Sequence, residues 1–216
     1  MRASRSPSES MRRSASMLAA FAALGALAVA PGDALAADPP PGHQVAERAM
    51  KRATRSSLDV TLPEDELVRD DGKTVSLATE LGDGQPVVLT FIFTKCGTIC
   101  PVMSQAFAQF QNKLGAERDR VHLVSISIDP EYDTPSRLAA YGKKVGAASQ
   151  WHFYTGTTEA SLAAQRAFAA FRGDKMDHTP VTFLRAGGGR RWERLDGFVS
   201  SDELASELRQ LLVVRR

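Results

Sequence analysis

Two runs dominated by apolar residues constrain this chain most. "PVVLTFIF" at 86–93 and "VHLVSISI" at 121–128 read as strands buried on both sides, which belong in the middle of a sheet covered on both faces. Between them, "VMSQAFAQFQNKL" places Met103, Phe107, Phe110 and Leu114 at three- and four-residue steps. That spacing is the apolar stripe of a helix. Strand, helix and strand in succession predict an α/β sheet with helices on its faces.

The flanking segments extend the pattern. "ELVRDDGKTVSL" reads as a β-hairpin turning at Asp71-Gly72. Thr134 caps a further helix that has Pro135 at its first position. "WHFYTG" is a short strand, and "EASLAAQRAFAAF" an alanine-rich helix that runs up to the loop before Gly173. "VTFLR" and "RWERLDGF" are antiparallel strands joined by "AGGGR", and "SDELASELRQLLV" is a closing amphipathic helix. A strand leading to a cysteine pair at a helix start, followed later by a β-hairpin and a final helix, predicts a thioredoxin-like fold. The first hairpin is an N-terminal addition to it. The domain occupies 58–216, with no internal repeat and no second domain.

The first 57 residues stand apart. Residues 1–36 hold Arg12 and Arg13, an apolar run at 17–30, and Ala34-Leu35-Ala36 in the small-residue cleavage pattern. This is the layout of a secretory signal peptide, cut after Ala36. The apolar run is shorter than the roughly 20 residues of a spanning helix, and the competing reading is an uncleaved membrane anchor. Residues 37–57, with "DPPPGHQ", read as a linker or arm. Export implies a periplasmic protein, with its N-terminus as the route to membrane association.

Removing four arginines from the 27 basic residues, and Glu9 and Asp33 from the 25 acidic ones, leaves 23 of each. A mature chain this close to neutrality has no electrostatic footprint for nucleic acid. Its partners are met through a local surface.

The only two cysteines of the chain, Cys96 and Cys100, lie in "FTKCGTICPVM". An exported protein can keep a disulfide. A small loop staples little, however, and a chain of 216 residues builds a core without one. The pair sits beyond the carboxyl end of a central strand, where ligands of open α/β sheets gather. Cys100 falls at a helix N-terminus and Lys95 is adjacent, both of which lower a thiol pKa. The spacing is C-x-x-x-C, one residue longer than the C-x-x-C of thioredoxin-type enzymes. The sulfurs can meet each other, or both can face a third object. Two soft thiolates suit Cu(I), zinc or iron–sulfur chemistry. Iron–sulfur clusters want four cysteines and structural zinc four protein ligands, whereas copper accepts two sulfurs and one imidazole.

Four histidines compete for the third position. His43 lies in the arm, and His122 and His152 lie within predicted strands among apolar neighbours. His178, in "KMDHTPVTF", precedes a strand in the loop that packs against the cysteine-bearing helix start in a thioredoxin-like fold. Met176 is an incidental thioether nearby. Asp129, at the end of the second central strand, is a candidate to orient a ligand from behind, or a turn residue before Pro130. Asp177 is a candidate to fix the imidazole of His178, or merely a residue that terminates the preceding helix. Asp133 and Thr134 read as helix caps.

"FIFTKCGTICPVM", "SISIDPEYDTP" and "DHTPVTFL", in this order, resemble the Sco/SenC family of copper-binding proteins. The resemblance covers roughly residues 60 to 212. It implies a thioredoxin-like fold with added elements, copper as Cu(I) or Cu(II), and Cys96, Cys100 and His178 as its ligands. It further implies a metallochaperone role in assembling the dinuclear copper centre of cytochrome c oxidase. The partner is then the copper-accepting oxidase subunit or another copper chaperone.

The alternative is a thiol–disulfide oxidoreductase with Cys96 and Cys100 as its catalytic pair, reducing the cysteines of that same centre. A third, peroxiredoxin-like reading is weak, because no P-x-x-x-T-x-x-C precedes either cysteine; turnover of peroxide with added thiols would revive it.

Overall fold

A computed structural model describes residues 53–214. The segment expected to be a signal peptide, most of the arm, and His43 lie outside the described residues. The chain runs β1 (Thr54–Asp59), β2 (Glu66–Arg69), β3 (Thr74–Ser76), a short α1 (Leu77–Glu80), β4 (Val87–Ile92), α2 (Ile99–Leu114) and a 3-10 segment (Gly115–Arg120). It continues with β5 (His122–Ser127), α3 (Pro135–Val145), β6 (Trp151–Gly156), α4 (Thr158–Ala167) and a 3-10 turn (Lys175–Asp177). β7 (Val181–Arg185), β8 (Arg191–Asp196) and α5 (Ser201–Val214) close it. All the strands join one sheet in the order β1-β8-β7-β4-β5-β6-β2-β3. The arrangement is thioredoxin-like, with the β2–β3 hairpin added at one edge. Among the described residues, no helix is long and apolar enough to cross a membrane.

The central strands carry apolar residues on both sides because both faces are covered. Val88 and Ile92 of β4 pack with Phe107 and Phe110 of α2, Leu138 of α3 and Leu204 and Leu208 of α5. Val87, Leu89 and Phe91 of the same strand point the other way, toward Leu77, Ala160, Ala164 and Phe168. Successive side chains of a strand alternate between faces, so one apolar run supplies two cores. On the first face the Trp151 and Phe153 rings stack at 5.1 Å, and the Trp151 indole N–H donates to the Ser125 hydroxyl at 3.0 Å.

The topology brings three loops to one sheet edge. β4 and β5 are parallel, with Ile92 opposite Ser127, so both carboxyl ends lie there. β7 is antiparallel to β4, with Thr90 opposite Thr182, so the start of β7 lies at that edge too. The cysteine loop after β4, the Asp129–Asp133 loop after β5 and the His178 loop before β7 therefore meet.

Two boundaries differ most from the sequence expectation. Thr54–Ser57, assigned to the arm, belong to β1, which pairs with β8 from Thr54↔Asp196 to Asp59↔Arg191. Most of its side chains are exposed, and its order comes from the ladder and from Arg55, which bonds Glu193 at 3.1 Å and Glu207 at 2.9 Å.

α4 stops at Ala167, short of the predicted end. Ala169 turns left-handed (φ 50), and the N–H groups of Ala169 and Ala170 close back on the carbonyls of Arg166 and Gln165. This is a Schellman motif. Arg194 bonds the Phe168 and Ala169 carbonyls at 3.2 and 3.0 Å, and Phe168 packs onto Trp192 and Phe183. The early stop releases the length of loop that carries His178 to the cysteines.

Candidate metal centre

Cys96 lies in the loop after β4, and Cys100 is the second residue of α2. The helix has no side-chain oxygen cap at Thr98. Instead the Cys100 N–H donates to the Cys96 sulfur at 3.3 Å, so a thiol stands where a capping oxygen is usual. Pro101 follows, in the first turn, where its missing N–H leaves no bond unmade. Both thiols are free; Cys96 is 8% exposed and Cys100 1%.

His178 follows the 3-10 turn, and its Nδ1 lies 2.8 Å from the Lys175 carbonyl. A carbonyl only accepts, so Nδ1 carries the proton and Nε2 keeps its lone pair. Nε2 lies 3.9 Å from Cys96 Sγ and 3.6 Å from Cys100 Sγ. The ring sits edge-on to Phe93 at 5.1 Å between centroids. Burial pushes the imidazole pKa down, outweighing the bond to Lys175, and the neutral ring is the form that ligates.

The donor atoms of Cys96, Cys100 and His178 all lie within 4.8 Å of one another. With metal–sulfur and metal–nitrogen bonds of about 2.3 and 2.0 Å, a trigonal ion separates sulfur from nitrogen by about 3.7 Å. The observed separations bracket that value. Two sulfurs and an imidazole with its lone pair turned inward make a group placed to hold a soft metal ion.

The two thiols are not equivalent. Burial pushes the Cys96 thiol up, but the N–H groups of Cys100 and Thr98 together outweigh it, and its pKa falls below that of an ordinary thiol. Burial dominates at Cys100, and its pKa is raised well above the usual thiol range. The expectation that a helix start activates Cys100 is thus corrected. The helix N–H is spent on the neighbouring sulfur, so the activated thiol is Cys96. Under limiting iodoacetamide at neutral pH, the metal-free protein is expected to alkylate at Cys96 before Cys100. Peptide mass spectrometry reads the order, and equal rates would contradict it.

Lys95 does not serve the thiols. Its ammonium sits over the Tyr132 ring, 3.6 Å from the centroid. Asp133 is no cap either: Thr134 caps α3, accepting from the Arg137 N–H at 3.4 Å. Asp133 is fully buried and accepts from the Thr94 N–H at 3.1 Å, the Thr94 hydroxyl, and the Ser127 hydroxyl at 2.7 Å. It ties the cysteine loop to the end of β5. This brace was missed in the sequence because an aspartate before a helix reads first as a cap.

Asp129 is buried and accepts from Lys175 Nζ at 2.9 Å, one residue removed from the imidazole. Asp177 is exposed on the 3-10 turn, where its N–H bonds Asp174; the Nδ1 partner of His178 is the Lys175 carbonyl. His122 and His152 lie elsewhere, 2.8 Å from Asp83 and 3.5 Å from Asp70.

Known proteins with the same framework place this chain. A SCO1 protein homolog of Bacillus subtilis is 39% identical over 93 residues, 43% of this chain. The match spans less than half the length of the curated relatives, 47% and 39% of theirs. The crystal structure of a SCO1/SenC family lipoprotein from Bacillus anthracis aligns with a TM-score of 0.63 at 25% identity, covering 73% of this chain and 98% of that one. Arabidopsis thaliana ScoI with copper bound aligns with a TM-score of 0.59 at 26% identity, covering 70% and 97%. The SCO1/SenC profile matches residues 57–213, all of the sheet except the first three residues of β1, together with the loops that bring the thiols and imidazole together, and the chain belongs to that family.

Proposed function

We propose that this protein is an exported copper metallochaperone that holds copper through Cys96, Cys100 and His178 and passes it to the dinuclear copper centre of cytochrome c oxidase. The observation that carries the reading is the convergence of two sulfurs and one oriented imidazole at a loop-built sheet edge. Soft donors in a three-coordinate set favour Cu(I). Bound there, copper would be cargo for thiolate-by-thiolate exchange with a docked acceptor. Cys96, at the mouth of the site, is the sulfur an acceptor reaches first, and Cys100 lies deeper. The signal-like N-terminus supports a periplasmic location.

Metal analysis and optical spectroscopy of the purified protein test this. One copper per chain is expected, with a thiolate-to-Cu(II) band in the oxidised complex. A protein that takes up no copper would refute the reading.

The unequal thiols favour a second activity at the same pair, reduction of a partner disulfide. The Cys96 thiolate attacks one partner sulfur and expels the other as thiolate. Cys100 then gives up its proton to the thiolate just expelled and attacks Cys96 Sγ. This frees the second partner thiolate and leaves a Cys96–Cys100 disulfide, two electrons having passed to the partner. Oxidase assembly in a deletion strain given excess copper separates the two. Full rescue supports delivery, and no rescue supports thiol reduction.

A further inference from the structure

We infer that Lys175 is a positioning residue for His178, latching the histidine turn to the sheet through Asp129; the inference rests on the proposed role of His178 as a metal ligand. The turn has little packing of its own. Asp174, Lys175, Met176 and Asp177 are all exposed, Met176 by 72%. Together with His178, Lys175 and Asp129 border a cavity of about 360 Å³ whose apolar lining includes Phe91 and Ile128. Space rather than packed side chains therefore adjoins the turn on that side, and directed bonds have to hold it.

Those bonds converge on Lys175. Its carbonyl accepts from His178 Nδ1 at 2.8 Å and from the His178 backbone N–H at 3.4 Å. Its ammonium reaches Asp129 Oδ2 at 2.9 Å. Asp129 is a firm anchor: it is 6% exposed, and its N–H donates to the Ser127 hydroxyl at 3.0 Å. That hydroxyl donates in turn to Asp133, which holds Thr94 of the cysteine loop. A continuous chain of polar contacts thus runs from the imidazole through Lys175, Asp129, Ser127 and Asp133 to the loop bearing Cys96. Lys175–Asp129 is the one link in it formed by two charged side chains, and it joins the histidine half of the site to the thiol half.

A lone exposed ion pair contributes little. Here one partner is buried and the other carries, on its own backbone, the acceptor that fixes the imidazole. Its effect is on geometry. Partners that orient a metal-binding histidine change affinity by about tenfold to a hundredfold when lost. Lys175→Met keeps the carbonyl and removes only the latch, so the lower end, about tenfold, is expected.

The test begins without metal. Nitrogen-15 NMR of the metal-free protein should show the His178 ring as the Nδ1–H tautomer. Lys175→Met should shift it toward a mixture of tautomers, Lys175→Arg should restore it, and the thermal midpoint should hold. The dissociation constant for Cu(I) should rise about tenfold in Lys175→Met and recover in Lys175→Arg. In the Asp129→Asn background, Lys175→Met should add nothing further. Unchanged metal-free ring signals in Lys175→Met, or full additivity with Asp129→Asn, would overturn the latch. A wild-type protein that takes up no copper while its ring signals respond to Lys175→Met would leave the latch standing and sink the copper reading instead.

Discussion

Replacing Cys100 with serine is expected to weaken copper binding by about a hundredfold to a thousandfold. Structural zinc sites, used as the scale, release roughly 10–16 kcal/mol over four ligands. One ligand is therefore worth about 2.5–4 kcal/mol, and every 1.4 kcal/mol is about tenfold in affinity. A hydroxyl supplies no soft anionic donor, and the two remaining donors, Cys96 Sγ and His178 Nε2, lie 3.9 Å apart, with no other Cys, His or acidic ligand grouped with them among the described residues. Cys96→Ser should act similarly and also remove the sulfur that accepts the Cys100 N–H. His178→Ala should lose less, because both thiolates remain. Competition with a chromophoric Cu(I) chelator ranks the three variants, and circular dichroism checks that each is folded. Copper binding in His178→Ala equal to wild type, with the same spectrum, would strike the histidine from the ligand set.

Removing the brace behind the cysteine loop should be the most damaging single change to stability around the site. Asp133→Ala strands the Thr94 N–H and the hydroxyls of Thr94 and Ser127, all of which it now accepts from. Buried donors left without a partner cost about 1–3 kcal/mol each. Some of that loss is recovered when Thr94, at the edge of the site, relaxes toward water. The net expectation is about 3 kcal/mol, or a fall in melting temperature of roughly 6–12 °C for a domain of this size. Asp133→Asn keeps one acceptor oxygen and should lose about a third as much. Calorimetry of the metal-free proteins measures both. In Asp133→Ala the freed loop should also alkylate faster at Cys96. A melting temperature within a degree of wild type would show that Asp133 is no brace.

Legibility followed the physical origin of each feature. β4 and β5 were readable because burial on both faces leaves an apolar record in the chain itself. The stripe of Met103, Phe107 and Phe110 was readable for the same reason, and all three side chains are buried. The Asp71-Gly72 turn was readable because Gly72 adopts φ 88, a conformation most residues resist. β1 left no such record: most of its side chains face water, and its order is borrowed from β8. The end of α4 was hidden because an alanine at φ 50 is held there by contacts of Phe168 and Arg194, not by local preference. Lys95 and Asp133 were misplaced for a shared reason. Adjacency in sequence gives distance along the chain, and neither side chain points where adjacency suggests.

The sequence by itself determined the sheet's central strands, the cysteine pair at a helix start, and a family resemblance strong enough to single out His178 from four histidines. Each of these is written in local pattern or in motif. Tertiary structure alone decided which thiol is activated, which nitrogen of His178 is free, and what holds the site together. Those outcomes depend on where the Cys100 N–H, the Lys175 carbonyl and the Asp129 and Asp133 carboxylates point after distant loops meet at one sheet edge. Hydrogen bonds and ion pairs are short-ranged and directional, so their partners exist only once the fold has brought them together.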